Sequence, residues 1–343
     1  MTILFYVGYF KNKWDPSNLN NIGGSEIAIL EISKRLVLFG YKVIVSGDVN
    51  SGNWNNTEWL STSELHQKYY NKIDLIIGVN YIHFILEFKK YSAKKIFWAH
   101  NTEFHPWYKG SKINQVNELT SPKHIDSFVC VSNWHKEQWS QKYSISPERI
   151  SVINNGVNIE SFSNMCNKVK DRFIWSSAPE RGLQDLLQNW SNIKEKIPHA
   201  SLHIYSPGYQ KNIPKEWLIY KLNDVEFKGS VDQMSLHNAM LKAEYWLYLT
   251  SYKEADCITA LEVQAAGIIP VSTSKAALKE TINSGIILKD DETKWQNALN
   301  IISNTNTDLK HKVIRSNHEW SKLQTWNARA YDWFSLISNY DNR

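Results

Sequence analysis

Residues 252–273 read Y-K-E-A-D-C-I-T-A-L-E-V-Q-A-A-G-I-I-P-V-S-T, and this stretch decides the fold. It follows an apolar run from Tyr245 to Thr250 and divides into three pieces. Glu254, Ala255 and Asp256 form a polar loop. Cys257 to Ala266 has helical composition, with Gly267 as its stop signal. Ile269 to Ser272 then reads as a buried strand. Strand, loop, helix and strand make one right-handed α/β unit, and ligands of open parallel sheets bind beyond the strand C-termini, where this loop falls.

The spacing adds chemistry to that geometry. Glu254 stands before the helix and Glu262 about a turn and a half inside it, so both carboxylates can face one ligand. The first backbone N–H groups of the helix, at Cys257, Ile258 and Thr259, lack intrahelical partners and with the helix dipole form an anion site. A ligand suited to all three parts has phosphate in the middle and hydroxyl-rich groups at both ends, the layout of a nucleoside diphosphate sugar. The plainer reading is that a glutamate near a helix N-terminus stabilises the dipole wherever it occurs.

Outward from this stretch, 343 residues suit two domains, and 42% hydrophobic with 21% charged residues is a soluble globular composition. The apolar start Ile3 to Val7 is too short for a signal or spanning segment. Cys130, Cys166 and Cys257 are isolated and lack metal-ligand spacing, which fits a reducing, cytoplasmic setting and no metal site. A net charge of +5 without a long basic run argues against nucleic acid. Lys89, Lys90, Lys94 and Lys95 are the one basic cluster, either a solvated face or a peripheral contact with an anionic membrane.

The first half repeats the α/β rhythm. Strands are expected at Ile3–Tyr9, Lys42–Ser46, Ile73–Val79, Lys95–Trp98 and Ser127–Val131. Gly23-Gly24 precedes a helix expected from Ser25 to Phe39, stopped by Gly40; the pair lets backbone approach a ligand closely. His100 follows a strand, where a histidine can donate to a sugar hydroxyl or phosphate near pH 7. In the second half, strands are expected at Phe173–Ser177, Ser201–Tyr205, Val225–Lys228, Tyr245–Thr250, Ile269–Ser272 and Gly285–Leu288, with one helix over Leu183–Ile197. Trp320–Ile337 is helical in period. Arg181, after the first of these strands, can bond phosphate bidentately. Asp290-Asp291-Glu292 reads as the charge run of a helix N-terminus.

In order, these motifs resemble the retaining glycosyltransferases of the GT-B fold, and family 4 above all. The resemblance implies two Rossmann-like, doubly wound parallel-sheet domains facing each other across a cleft: 1–162 on the acceptor side, a linker at 163–172, 173–320 on the donor side, and a helix at 321–343 crossing back. It implies that Glu254 holds the donor sugar, that Cys257, Ile258 and Thr259 hold the diphosphate, and that Glu262 holds the ribose. Gly23 and Gly24 meet the donor phosphate and the acceptor, and His100 lies near the reaction centre. Gly229, in a Phe-x-Gly-x-Val turn, borders the base, as does the strand end at 204–209. Arg181-Gly182 matches the second of the family's two cation pairs. The first is missing, because Ser176 and Ser177 stand in its place; Lys228 or Lys253 are the candidate substitutes. Asp256 stands where relatives often carry an apolar residue, and it can contact the sugar or repel the phosphate.

The implied activity is metal-independent transfer of a sugar from a UDP- or GDP-sugar, a co-substrate rather than a cofactor, to a glycan or lipid acceptor. A nucleotide-sugar-binding protein without turnover, and a GT-B epimerase or phosphorylase, are the alternatives. The oligomeric state is not legible. The chain contains neither the D-x-D of metal-dependent transferases nor the G-x-S-x-G of serine hydrolases.

Overall fold

The computed structural model describes residues 1–8, 13–18, 22–104, 118–164, 166–205 and 223–341. The chain forms two compact units, one from residues 1–18, 24–155 and 326–343, the other from 19–23 and 156–325.

Among the described residues, the first unit holds an eight-stranded sheet in the order β3-β4-β2-β1-β5-β6-β7-β8. Its strands are β1 (Thr2–Gly8), β2 (Lys42–Gly47), β3 (Gly52–Trp54), β4 (Thr57–Ser61), β5 (Leu75–Val79), β6 (Lys94–Trp98), β7 (Ser127–Cys130) and β8 (Ile150–Val152). All neighbours are parallel except β3 and β4. Ile3 to Gly8 and all of β5 are buried, as expected of strands covered on both faces by helices. The helices are α1 (Gly24–Leu38), α2 (Thr62–Tyr69), α3 (Phe84–Glu87) and α4 (Asn133–Tyr143). Gly40, at φ +87°, supplies the left-handed residue that ends α1.

The second unit has six parallel strands in the order β11-β10-β9-β12-β13-β14. They are β9 (Arg172–Trp175), β10 (Ser201–Tyr205), β11 (Val225–Gly229), β12 (Tyr245–Tyr248), β13 (Ile269–Thr273) and β14 (Ile286–Leu288). Seven helices are described here: α5 (Leu183–Gln188), α6 (Trp190–Lys196), α7 (Gln233–Lys242), α8 (Ile258–Ala265), α9 (Leu278–Thr281), α10 (Lys294–Asn304) and α11 (Thr307–Ser321). Strand order reverses at β9 and β12, the topological switch point where α/β sheets bind ligands.

The last helix, α12 (Trp326–Asp341), belongs to the first unit. Its Trp333 is fully buried, with ring centroids 4.9 Å from Trp98 and 6.3 Å from Phe5. Tyr340 and Ser127 share a 2.6 Å hydroxyl contact, and Arg35 Nε donates to Asn327 Oδ1 at 2.6 Å.

Three elements differ from the sequence expectation. The helix expected over Leu183–Ile197 breaks at Asn189, whose side chain donates to the Asp185 carbonyl. The helical end likewise divides, at 322–325, into α11 and α12. The β3–β4 hairpin has no counterpart among the expected elements; it turns through Asn55 and Asn56, both at positive φ.

Candidate active site

Parallel pairing of β9 with β12 sets Phe173 beside Tyr245 and Ile174 beside Trp246, so the segments leaving the two strands run side by side. From β9 the chain makes a 3-10 turn over Pro179–Arg181, passes through Gly182 at φ +116° and enters α5. From β12 it reaches Thr250, whose hydroxyl donates to the Arg181 carbonyl at 2.6 Å. That bond ties the two loops together at the switch point.

Their side chains complete the joint. Arg181 Nη1 donates to both Glu254 oxygens, at 2.8 and 2.9 Å, and the Tyr248 hydroxyl donates to Glu254 Oε1 at 2.5 Å. Glu254 is only 3% exposed. The Arg181 guanidinium lies 4.9 Å from the Tyr252 ring centroid. Burial works against the charge on Arg181, but Glu254 and the groups around it outweigh it and hold its pKa above the ordinary value. Nε and Nη2 of Arg181 have no hydrogen-bond partner among the described residues.

Helix α8 starts beside this pair. Cys257 is its N-cap and contributes no side-chain bond, which leaves the first amides to water or an anion. The Cys257 thiol is buried, and burial together with the Glu254 charge raises its pKa far above the usual range, so it stays neutral. Asp256 accepts from Thr281 Oγ1 at 3.0 Å, which turns it toward α9. Ile258 and Thr259 are part-exposed. Glu262 accepts from His237 Nε2 at 3.3 Å, and the His237 ring packs 4.7 Å from Phe162. Gly229, at φ +70°, has open space where a side chain would stand.

Lys228 pairs with Glu226, and the exposed Lys253 makes no ion pair among the described residues. Ser177 is buried, its carbonyl taken by Trp175 Nε1 at 2.8 Å, while the buried Ser176 hydroxyl has no partner among the described residues. Asp290 is more than a helix-terminal charge: it accepts from Lys294 at 2.7 Å, Ser251 at 2.9 Å and Lys275 at 3.0 Å, clasping the loop after β12. Burial opposes its charge, yet these bonds lower its pKa to about 2.

Gly24 is the first residue of α1, and neither it nor the preceding Gly23, which belongs to the second unit, takes a left-handed φ. Ser25 Oγ donates to Glu26 at 3.1 Å. His100 follows β6; its N–H donates to Asn80 Oδ1 at 2.8 Å and its ring packs 4.4 Å from Trp98. Its Nε2 is enclosed without a partner among the described residues, and burial, then nearby His135, lowers its pKa to about 3. It is therefore a neutral imidazole. His135 is fixed in one tautomer, with Nε2 donating to the Asn101 carbonyl at 2.7 Å and Nδ1 accepting from the Val131 N–H at 3.3 Å. In the basic cluster, Lys94 pairs with Asp126, and Lys95 donates to the carbonyls of Tyr91 and Ala93. Residues 206–209, expected beside the base, lie outside the described residues.

The two parallel-sheet units are those of the GT-B glycosyltransferases. Residues 47–161 match the family model described as Glycosyltransferase Family 4, and residues 173–333 match the one described as Glycosyl transferases group 1. The chain belongs to this family of glycosyltransferases. A phosphatidylinositol N-acetylglucosaminyltransferase subunit of Homo sapiens is 23% identical, with 92% of this chain and 74% of that protein aligned. The Arabidopsis thaliana protein of the same name is also 23% identical, over 63% of this chain and 51% of its own length, so this chain spans about half of that relative. The crystal structure of Anabaena Alr3699/HepE in complex with UDP-glucose superposes with a TM-score of 0.77 at 13% identity, covering 99% of this chain and 100% of that one. Among the described residues, no helix is long and apolar enough to cross a membrane.

Proposed function

We propose that the protein transfers a sugar from a UDP-sugar to a hydroxyl of a lipid-linked acceptor, with retention at the anomeric carbon. The carrying observation is the Arg181–Glu254–Tyr248 constellation at the switch point beside the N-terminus of α8. The open edges of Arg181 and the amides of Ile258 and Thr259 take the diphosphate as its charge develops, without a metal ion. Glu262 takes the ribose, the turn at Gly229 borders the base, and neutral His100 donates a hydrogen bond to the sugar. Glu254 enters as the anchor of Arg181. The backbone at Gly23 and Gly24 admits the reacting groups.

No protein nucleophile is required in this scheme. The leaving phosphate accepts the acceptor's proton on the face it departs from, and the protein contributes positioning and electrostatic stabilisation. The UDP and lipid assignments draw on the names of the relatives and of the UDP-glucose complex. A lipid acceptor would bring the protein into peripheral contact with a membrane in the reducing cytoplasm.

The test incubates the protein with UDP-, GDP- and ADP-sugars and phosphatidylinositol vesicles, and follows nucleotide release. Turnover should be greatest with a UDP-sugar, fall at least a hundredfold in Arg181→Ala, and give a product whose anomeric configuration, read by NMR, matches the donor. Equal turnover in Arg181→Ala would sink the site; nucleotide binding with no product over a wide acceptor panel would favour a binding protein.

A further inference from the structure

We propose that Tyr248 is a positioning residue of the transfer site, acting through Glu254 to aim Arg181. The inference rests on Arg181 being the cation that meets the donor diphosphate.

Tyr248 closes β12 and is fully buried. Its ring stacks on Trp246 at 4.6 Å and packs against Trp175 at 5.3 Å, and its carbonyl accepts from Ser272 Oγ at 2.9 Å. Ring and backbone are therefore fixed from three sides, and the hydroxyl has one place to point. It meets Glu254 Oε1 at 2.5 Å, the oxygen that also takes an Arg181 bond at 2.8 Å.

Packing alone needs only a phenylalanine here. A hydroxyl in so apolar a place costs free energy unless bonded, and its bond goes to the one carboxylate that holds the cation. Burial and the negative charge of Glu254 keep the phenol protonated, so it is a donor across the whole working pH range. Glu254 is held at both ends as a result. Tyr248 fixes one oxygen from the core, and Arg181 bridges both oxygens with Nη1 alone, so Nε and Nη2 make no bond to the carboxylate. Without the hydroxyl, the carboxylate can rotate about its last torsion and take the guanidinium with it, while the rest of the donor site stays in place.

The experiment compares UDP with uridine by calorimetric titration of wild type, Tyr248→Phe and Glu254→Gln. Only UDP carries the diphosphate that Arg181 would meet. Tyr248→Phe should weaken UDP about tenfold, the scale of one hydrogen bond to a charged group, and change uridine less than about twofold. Glu254→Gln, which leaves Tyr248 in place, should show the same selective loss. In turnover, Tyr248→Phe should lower kcat as well as raise the donor KM, whereas a merely looser core would weaken UDP and uridine alike. If wild type binds UDP and both variants bind it equally well, or lose UDP and uridine in parallel, the inference is wrong and the functional reading stands. If wild type binds none of UDP, GDP and ADP, the functional reading fails and takes this inference with it.

Discussion

Arg181→Ala tests whether the switch point is built as described, independently of any ligand. The substitution removes both Arg181 bonds from a carboxylate that is 3% exposed and leaves it only the Tyr248 hydroxyl. Removing one partner of a fully buried ion pair costs about 3–5 kcal/mol, because the remaining charge is stranded. Here the Arg181 side chain is 32% exposed, so water can enter where it stood. The expected loss is therefore about 2–3 kcal/mol, below the range for a fully buried pair. For a unit of this size, that corresponds to a fall in melting temperature of roughly 4–12 °C. The discriminating comparison is Arg181→Ala/Glu254→Gln, in which no charge is left behind. It should be more stable than Arg181→Ala by about 1 kcal/mol, since a neutral amide is cheaper to bury than a lone carboxylate. Urea unfolding of the four species forms the cycle. If Arg181→Ala costs less than about 0.5 kcal/mol, or the double variant is the less stable, the pair is not the buried anchor inferred here.

The other predictions concern the two units separately. The folded-state pKa of His135 is lowered to about 4 and that of His100 to about 3, mainly by burial, from an ordinary 6.5. The unfolded chain therefore takes up protons first as pH falls; the stability these neutral rings allow is complete above about pH 6.5 and drains away towards pH 4. For fully buried His135 the slope should approach about 1.4 kcal/mol per pH unit in that window, and His135→Gln should flatten it. Unfolding measured at pH 7 and pH 5 checks this, and an unchanged slope contradicts it. Gln264 on α8 is fully buried, donating to the carbonyls of Ala260 and Thr281 at 2.7 and 2.8 Å and accepting from the Asn283 N–H at 2.7 Å. Gln264→Leu strands those groups and should cost about 2–4 kcal/mol in calorimetry; a cost below about 1 kcal/mol would mean that the neighbours find other partners.

The core strands were legible because their apolar runs are buried on both faces, and residue type alone reports that. The β3–β4 hairpin was less so, since its strands are short and its turn is Asn55-Asn56 rather than the Asn-Gly that most often marks such a turn. The break at Asn189 carries no Gly or Pro to announce it. In the site, Arg181, Glu254 and the start of α8 could be named from the sequence, but their mutual bonding could not. That bonding depends on the register of β9 against β12, set by strands whose order in space differs from their order in the chain. Tyr248 was invisible for a related reason: inside an apolar strand, a tyrosine that packs and one that donates a hydrogen bond look the same.

Trp333, wedged against Trp98 and Phe5, has a consequence for biogenesis. The first unit is assembled from segments on either side of the second, whereas 156–325 runs uninterrupted within the second. During vectorial synthesis the second unit can close as soon as residue 325 clears the ribosome, but the first must wait, with Trp98 and Phe5 uncovered, until α12 has emerged. The unit translated first is thus the last to be finished.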